Sequence, residues 1–257
     1  MANDTTKTPL LDQVAVIAGG TGGIGYATAR RLANAGARII LLDRGPSDEV
    51  SVQAAQLPGS GHGAIRASID DSETLRAAAK IVEQRWQRVD ILVNAAGFTK
   101  PIPHADLDAL DDALIDSLFV AHWRGPFATI RAFAPLLRAS GHGLVVNLSS
   151  IAATTGVGSN VAYCAAKAAI DSLAVTLGRA LAPAIRVVNV APGVVDTQFV
   201  PGRDEAFNAR TAAATPLKRI GTPDDIAAAI EACASTPALV SWASGLHVAP
   251  PSVERLK

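Results

Sequence analysis

The apolar residues of this chain fall into short unbroken runs separated by longer stretches of helical character, and that alternation restricts the fold more than any other feature. "QVAVIAG" (13–19), "ARIILLD" (37–43), "AIRAS" (64–68), "VDILVNAAG" (89–97), "GLVVNLSS" (143–150) and "IRVVNVAPG" (185–193) read as strands. Strands that are apolar throughout, rather than alternately, are covered on both faces. Between them the sequence predicts an Ala-rich helix ending near Asn34, a helix over 72–86, a long helical region over 107–137 and a helix over 161–181. The expected class is α/β, a doubly wound parallel sheet with helices on both faces.

No repeat or linker divides the 257 residues, so one domain over 1–257 is expected, with 1–10 flexible. The polar, turn-rich stretch 198–216 follows a strand end. It reads as a substrate loop or short helical lid, with an ordinary surface loop as the alternative.

Composition excludes several classes. Lys plus Arg and Asp plus Glu both number 23, without the basic bias of a nucleic-acid binder. No apolar run approaches the ~20 residues that span a bilayer, and "MANDTTKTPL" lacks the pattern of a signal peptide. The expectation is a soluble cytoplasmic protein with neither nucleic acid nor membrane as partner. Cys164 and Cys233 stand apart in sequence, suggesting buried hydrophobes rather than a zinc or disulfide pair.

"AGGTGGIG" (18–25) lies directly after the first strand and opens the first helix. In that context Gly19 permits a tight exit from the strand, Gly23 lets the backbone approach a pyrophosphate, and Gly25 lets helix and sheet pack closely. The helix N-terminus then presents free N–H groups and its positive dipole end to phosphate. Asp43, 18 residues after Gly25, ends the second strand. A carboxylate there accepts hydrogen bonds from adenosine ribose hydroxyls and repels a 2′-phosphate, which favours NAD. Arg44 beside it is open to a reading as a phosphate ligand.

The second chemical feature is "AYCAAKAAI" (162–170), where Tyr163 and Lys167 stand four apart on one helix face. A phenol has a pKa near ~10. A nearby ammonium group lowers it toward the range useful for acid–base catalysis. Upstream, "NLSS" places Ser149 and Ser150 at a strand end, where a hydroxyl can hold a substrate oxygen. Without the glycine turn, the Tyr/Lys pair would read equally well as a surface pair.

Together these stretches resemble the short-chain dehydrogenase/reductase family of the single-domain kind, from about Leu11 to Val248. The family pattern TGxxxGxG is met by "AGGTGGIG", with Ala18 in the threonine place. NNAG is met by "NAAG", Asn94, Ala95, Ala96 and Gly97. Serine followed by YxxxK is met by Ser150, Tyr163 and Lys167, and the spacing selects Ser150 over Ser149. "PGVVDT" matches the PGxxxT run from Pro192 and Gly193 to Thr197.

The resemblance implies a Rossmann-type fold and an NAD cofactor. The implied cofactor residues are Gly19, Thr21, Gly22, Gly23, Ile24, Gly25, Asp43, Arg44, Ser68, Ile69 and Asn94 to Gly97. Tyr163, Lys167, Pro192 and Gly193 join them, with the Val195 backbone and the Thr197 hydroxyl meeting the carboxamide. It also implies catalysis by Ser150, Tyr163 and Lys167, with Lys167 lowering the tyrosine pKa, and a homo-oligomer, dimer or tetramer.

Three departures stand out. Ser68 replaces a cofactor-side aspartate, with Asp70 or Asp71 as equivalents if the register slips. His122, in "AHWRG", replaces an asparagine that positions a water in a proton relay. With a pKa near ~6.5 it either relays a proton itself or is a buried residue that keeps a backbone kink. "VAPP" (248–251) replaces VDGG, which bears on the usual subunit contact.

Arg124, Arg131 and Arg138 recur every seven residues, as a dock for an acidic carrier protein or as a solvated or interface stripe. For the substrate, Lys100, His104 and Arg203 are candidates to meet an anion, and Phe98, Ile151 and Phe199 suggest an apolar body. The expected activity is hydride transfer between NAD(H) and a small-molecule secondary alcohol or ketone. The rivals are an NADPH-dependent 3-oxoacyl-carrier-protein reductase and a non-catalytic NAD-binding regulator.

Overall fold

A computed structural model describes residues 9–236. Six strands, β1 (Val14–Ala18), β2 (Arg38–Asp43), β3 (Gly63–Arg66), β4 (Ile91–Asn94), β5 (Gly143–Leu148) and β6 (Ile185–Val190), form one sheet. Its order is β3-β2-β1-β4-β5-β6, and every pairing is parallel, with Val16 opposite Ile40 on one side and Leu92 on the other. This is the doubly wound, Rossmann-like sheet that the apolar runs predict.

Successive residues of each strand feed opposite cores. Ala15, Ile17, Ile39 and Leu41 join one cluster, whereas Val16, Ala18, Ile40 and Leu42 join the other. All eight are buried, and burial of each larger side chain contributes about 1.5–3 kcal/mol. Helices α1 (Gly23–Asn34) and α9 (Pro223–Ser235) cover the first face. Arg31 fastens that pair through Asp224 and Glu231, each at 2.8 Å. Helices α3 (Ser72–Trp86), α5 (Gly125–Ala139) and α7 (Val161–Leu181) cover the second.

Several expectations are corrected. The sequence reading passes over α2 (Ser47–Ala55), the short α6 (Ala152–Thr155) and α9. Leu10, expected in a flexible terminus, is fully buried and its amide donates to the Ala35 carbonyl. The long helical region is two helices, α4 (Asp112–Phe119) and α5, joined by a π-helical turn over Val120–Arg124. Pro126 has no N–H to give the His122 carbonyl, and the Gly125 amide reaches five residues back to Val120 instead. Helix α7, 21 residues long, is by length and composition apolar enough to cross a membrane. Here its buried face, including Tyr163 and Lys167, packs inside the domain. The "VAPP" segment lies outside the described residues.

The strand order reverses between β1 and β4, so their C-terminal ends open a crevice in which ligands of such sheets bind. Asn160 sets the start of α7 there. Its Oδ1 accepts from the Tyr163 amide at 2.7 Å and its Nδ2 donates to the Lys100 carbonyl at 2.8 Å.

Candidate active site

The exit from β1 can be made only by glycine. Gly19 has φ +74°, and a Cβ on it would lie 2.6 Å from the Ala96 backbone. A Cβ on Gly25 would lie 2.1 Å from the Gly19 carbonyl oxygen. The turn therefore packs α1 directly onto β1 and against the Ala95–Ala96 backbone. Gly22, the N-cap of α1, supplies no side chain to its first amides, which stay open to an anion.

Two cavities meet over this turn, and Thr21, Gly22 and Ala95 to Gly97 line both. The first, about 700 Å³, takes Gly19, Asp43, Arg44, Ser68 and Ile69. Asp43 is fixed in it, with Oδ2 accepting from the Thr21 hydroxyl at 2.5 Å and Oδ1 from the Gly45 amide at 3.2 Å. The Ser68 hydroxyl donates to Asp70. Asp71 instead caps α3, accepting from the Glu73 and Thr74 amides, which leaves Asp70 as the acidic side chain paired with Ser68.

The second cavity, about 630 Å³, takes Gly23, Ile24, Gly25, His122, Ser150, Tyr163, Lys167, Pro192, Gly193, Val195 and Thr197. A crevice with a glycine cradle, open helix amides and a ribose-height carboxylate at one end fits a dinucleotide. Gly19, Thr21 and Gly22 to Gly25 would hold its phosphates, Asp43 its adenosine ribose, and the 192–197 loop its nicotinamide end.

Both serines line this cavity, but they differ in burial and in partner. The Ser149 hydroxyl is buried and donates to the Lys167 carbonyl at 3.4 Å. Ser150 is half-buried, accepts only the Ala152 amide at 3.2 Å, and faces the cavity. Tyr163 and Lys167 share that cavity, with Lys167 Nζ 5.6 Å from the phenol ring centroid. Cys164 turns away to Gly158.

The electrostatics differ from expectation. Burial pushes the Tyr163 phenol up to about 12, with the Ser150 hydroxyl and the Arg203 guanidinium opposing it. Lys167 is not among the groups that lower it. Burial pulls the lysine itself down to about 7, against the raising effect of Asp171. Its Nζ donates to the Leu148 carbonyl at 2.5 Å.

His122 is equally constrained. Nε2 lies 2.7 Å from the Phe98 carbonyl. A carbonyl only accepts, so Nε2 carries the proton. Nδ1 is buried with no partner among the described residues. Burial first, then Lys167, lowers the ring to about 3. Of the two readings of His122, a proton relay and a buried residue, a neutral enclosed imidazole fits the second.

Asn94 lines neither cavity. It begins a buried ladder, Asn94 Nδ2 to Asn147 at 2.8 Å, Asn147 Nδ2 to Asn189 at 3.0 Å, and Asn189 Nδ2 to Asp171 at 2.7 Å. Asn147 and Asn189 escape the sequence reading, although "LVN", "VVN" and "VVN" recur at the ends of three strands. Asn160 is missed too, and its signal is an Asn three residues before the tyrosine.

Phe98, expected on the substrate wall, lines the first cavity, while Lys100 and His104 line neither. Of the arginine stripe, Arg124 donates to the Asp70 carbonyl and Arg131 to Ser72, both at 3.1 Å. Two of its three members therefore bind the start of α3 to its neighbours.

Comparison with known proteins fits this geometry. The family model described as Enoyl-(Acyl carrier protein) reductase matches residues 18–248. A protein of Streptomyces violaceoruber named as a ketoacyl reductase of the granaticin polyketide synthase is 33% identical over 232 residues, 90% of this chain and 91% of its own. The cis-4-hydroxycyclohexanecarboxylate dehydrogenase of Sinomonas cyclohexanicum is 34% identical, over 87% and 90% of the two chains. A crystal structure of a short-chain dehydrogenase/reductase from Brucella melitensis, titled glucose/ribitol dehydrogenase, superposes with TM-score 0.88 at 28% identity, covering 97% and 100%. The chain belongs to the short-chain dehydrogenase/reductase family of nicotinamide-dependent oxidoreductases acting on alcohol and ketone groups.

Proposed function

We propose that the protein transfers hydride between NAD(H) and a secondary alcohol or ketone, with Ser150, Tyr163 and Lys167 as the working set. The observation that carries this reading is their convergence on one cavity that runs on into the Asp43 crevice. The nicotinamide, when bound, gives or accepts the hydride.

The chain's own residues handle the proton. Ser150 Oγ holds the substrate oxygen beside the phenol. With its pKa near 12, Tyr163 is protonated at neutral pH and donates to a carbonyl oxygen as it becomes an alkoxide. In the reverse direction Tyr163 must first lose that proton, so oxidation is favoured by alkaline pH. Lys167, fixed on Leu148, stands over the phenol face and supplies positive charge when protonated. Neutral His122 holds the Phe98 carbonyl and packs on Tyr163.

Asp43 supports NADH as the preferred donor. A second reading, a carrier-linked 3-oxoacyl reductase using NADPH, draws on Arg44 in the same cavity and on the similarity to a ketoacyl reductase. The exposed apolar side chains of Phe119, Trp123 and Val161 support a homo-oligomer, and sedimentation equilibrium separates dimer from tetramer.

The test is an alcohol and ketone panel followed by NADH and NADPH absorbance. Tyr163→Phe is expected to lose about 10²- to 10⁴-fold in kcat. Unchanged turnover in that variant, or no nicotinamide-linked redox at all, sinks the proposal.

A further inference from the structure

The second cavity has a cation on its substrate side that the chemistry above does not use. Arg203 enters the wall just before α8 (Glu205–Ala214), and its Cζ lies 4.7 Å from the Phe207 ring centroid. The side chain is half-buried and forms no salt bridge or hydrogen bond among the described residues. None of the nearby acids in sequence, Asp196, Asp204 and Glu205, forms a salt bridge with it among the described residues. Asp204 caps α8 through the Phe207 amide at 2.7 Å, and Asp196 accepts from Asn208 Nδ2 at 3.0 Å. Partial burial disfavours the guanidinium charge, and the Tyr163 phenol is the group that offsets this. The cation therefore lies within electrostatic reach of the reacting position.

The other cation on this wall, Lys167, is bonded to the Leu148 carbonyl. A lone planar fork of donors in a half-desolvated wall matches one carboxylate. A phosphate dianion would call for further donors. Arg203 makes no hydrogen bond to Tyr163, and the Phe199 ring lies 6.1 Å from the tyrosine ring. With Ile151 and Val157 also on the wall, the cavity that holds both groups offers apolar side chains to a substrate body.

Resting on the redox reading above, we propose that the substrate is an oxo or hydroxy acid whose carboxylate pairs with Arg203, separated by an apolar spacer from the carbon that reacts at Ser150 and Tyr163. The stretch that carries Phe199, Arg203 and α8 is then the element that reads the far end of the substrate. Helix α8 itself buries no residue.

The experiment is reduction of 5-oxohexanoate and 6-oxoheptanoate, each beside its methyl ester, by NADH at pH 7. Wild type, Arg203→Gln and Arg203→Lys are compared. A charge-assisted hydrogen bond predicts that wild type favours acid over ester by about 10- to 100-fold in kcat/KM. Arg203→Gln is expected to bring the ratio within about twofold by losing activity on the acids alone, and Arg203→Lys to fall between. Thermal shift with NADH and each acid gives a readout free of turnover, and stabilisation by the acid is expected to vanish in Arg203→Gln. Equal use of ester and acid by wild type, or an acid preference surviving in Arg203→Gln, overturns the assignment and leaves the oxidoreductase reading intact. Failure to reduce acid, ester and neutral ketone alike with either NADH or NADPH removes both.

Discussion

The imidazole of His122 stands edge-on to the phenol of Tyr163, ring centroids 5.2 Å apart and planes at 87°. The Phe98 carbonyl holds the histidine Nε2 at 2.7 Å. A Cβ on Gly97 would come within 2.5 Å of the histidine Cε1, so a side chain at position 97 would displace the imidazole. These contacts lead us to read His122 as a positioning residue.

Its titration gives a stability prediction with a definite sign. Unfolded histidine takes up a proton near ~6.5, whereas the folded ring does so only near 3. Between these values the unfolded state binds more protons, so stability falls as pH drops below about 6.5. Urea unfolding at pH 7, 6 and 5 is expected to show this loss in wild type and to show less of it in His122→Asn. Near pH 7 His122→Asn is expected to keep most of kcat, and His122→Ala to lose about tenfold as the phenol loosens. No kcat limb near pH 6 is expected to depend on His122. A wild-type limb there that disappears in His122→Asn would restore the titrating relay.

Lys167 gives the opposite window. Its ordinary pKa is 10.5, and in the folded chain it is about 7. Between pH 7 and 10 the unfolded state therefore holds more protons, and this residue makes stability rise with pH. The slope approaches about 1.4 kcal/mol per pH unit at most. Lys167→Met replaces the buried cation with an apolar chain of similar length, so the ligand-free variant is expected to lack this rise. Parallel stability curves for the two proteins across that window would show that the lysine is not desolvated.

Much of this was legible in the sequence because it depended on local pattern. Unbroken β-branched runs specify strands buried on two faces, and all six are found. Gly19 and Gly25 fall where added side chains would collide, so the turn could be read letter by letter. The Tyr163 and Lys167 spacing puts both on one helix face, and the structure puts both on one wall. What escaped was set by tertiary burial. The neutral state of His122 depends on being enclosed by Phe98, after β4, and by Tyr163 and Lys167 on α7, two segments remote from it in sequence. The depressed pKa of Lys167 and the raised pKa of Tyr163 follow from burial that no spacing encodes. The π-helical turn had a local cause in Pro126, but its signature is one missing amide inside a helical pattern.

The asparagine ladder predicts a stability effect remote from the substrate. Asn147 is 1% exposed. It accepts from Asn94 and donates to Asn189. Asn147→Ala strands both partners inside the sheet, and each unpaired buried group costs about 1–3 kcal/mol. A loss of at least about 2 kcal/mol is expected by urea denaturation. The Asn94→Ala/Asn147→Ala double variant is expected to be less destabilised than the sum of the singles, because the two share a bond. A loss under about 0.5 kcal/mol, or strict additivity, would count against the ladder.

Asp43 carries the prediction for cofactor preference. Its carboxylate is held by Thr21 and Gly45 on the wall of the first cavity, where an adenosine ribose would meet it, and Arg44 is the adjacent cation. A bound ribose diol gains one or two charge-assisted hydrogen bonds, each about 1.5–3 kcal/mol. A 2′-phosphate meets a fixed negative charge instead. Wild type is therefore expected to show kcat/KM for NADH at least about tenfold above that for NADPH. Asp43→Ser removes both the acceptor charge and the repulsion. It is expected to lower kcat/KM for NADH by about 10- to 100-fold and to raise that for NADPH, with Arg44 free to meet the phosphate. Adding Arg44→Ala to Asp43→Ser should then remove the NADPH gain and leave the NADH loss unchanged. A wild type that prefers NADPH would mean that Arg44 outweighs the carboxylate, and it would move the chain to the carrier-linked reductase reading.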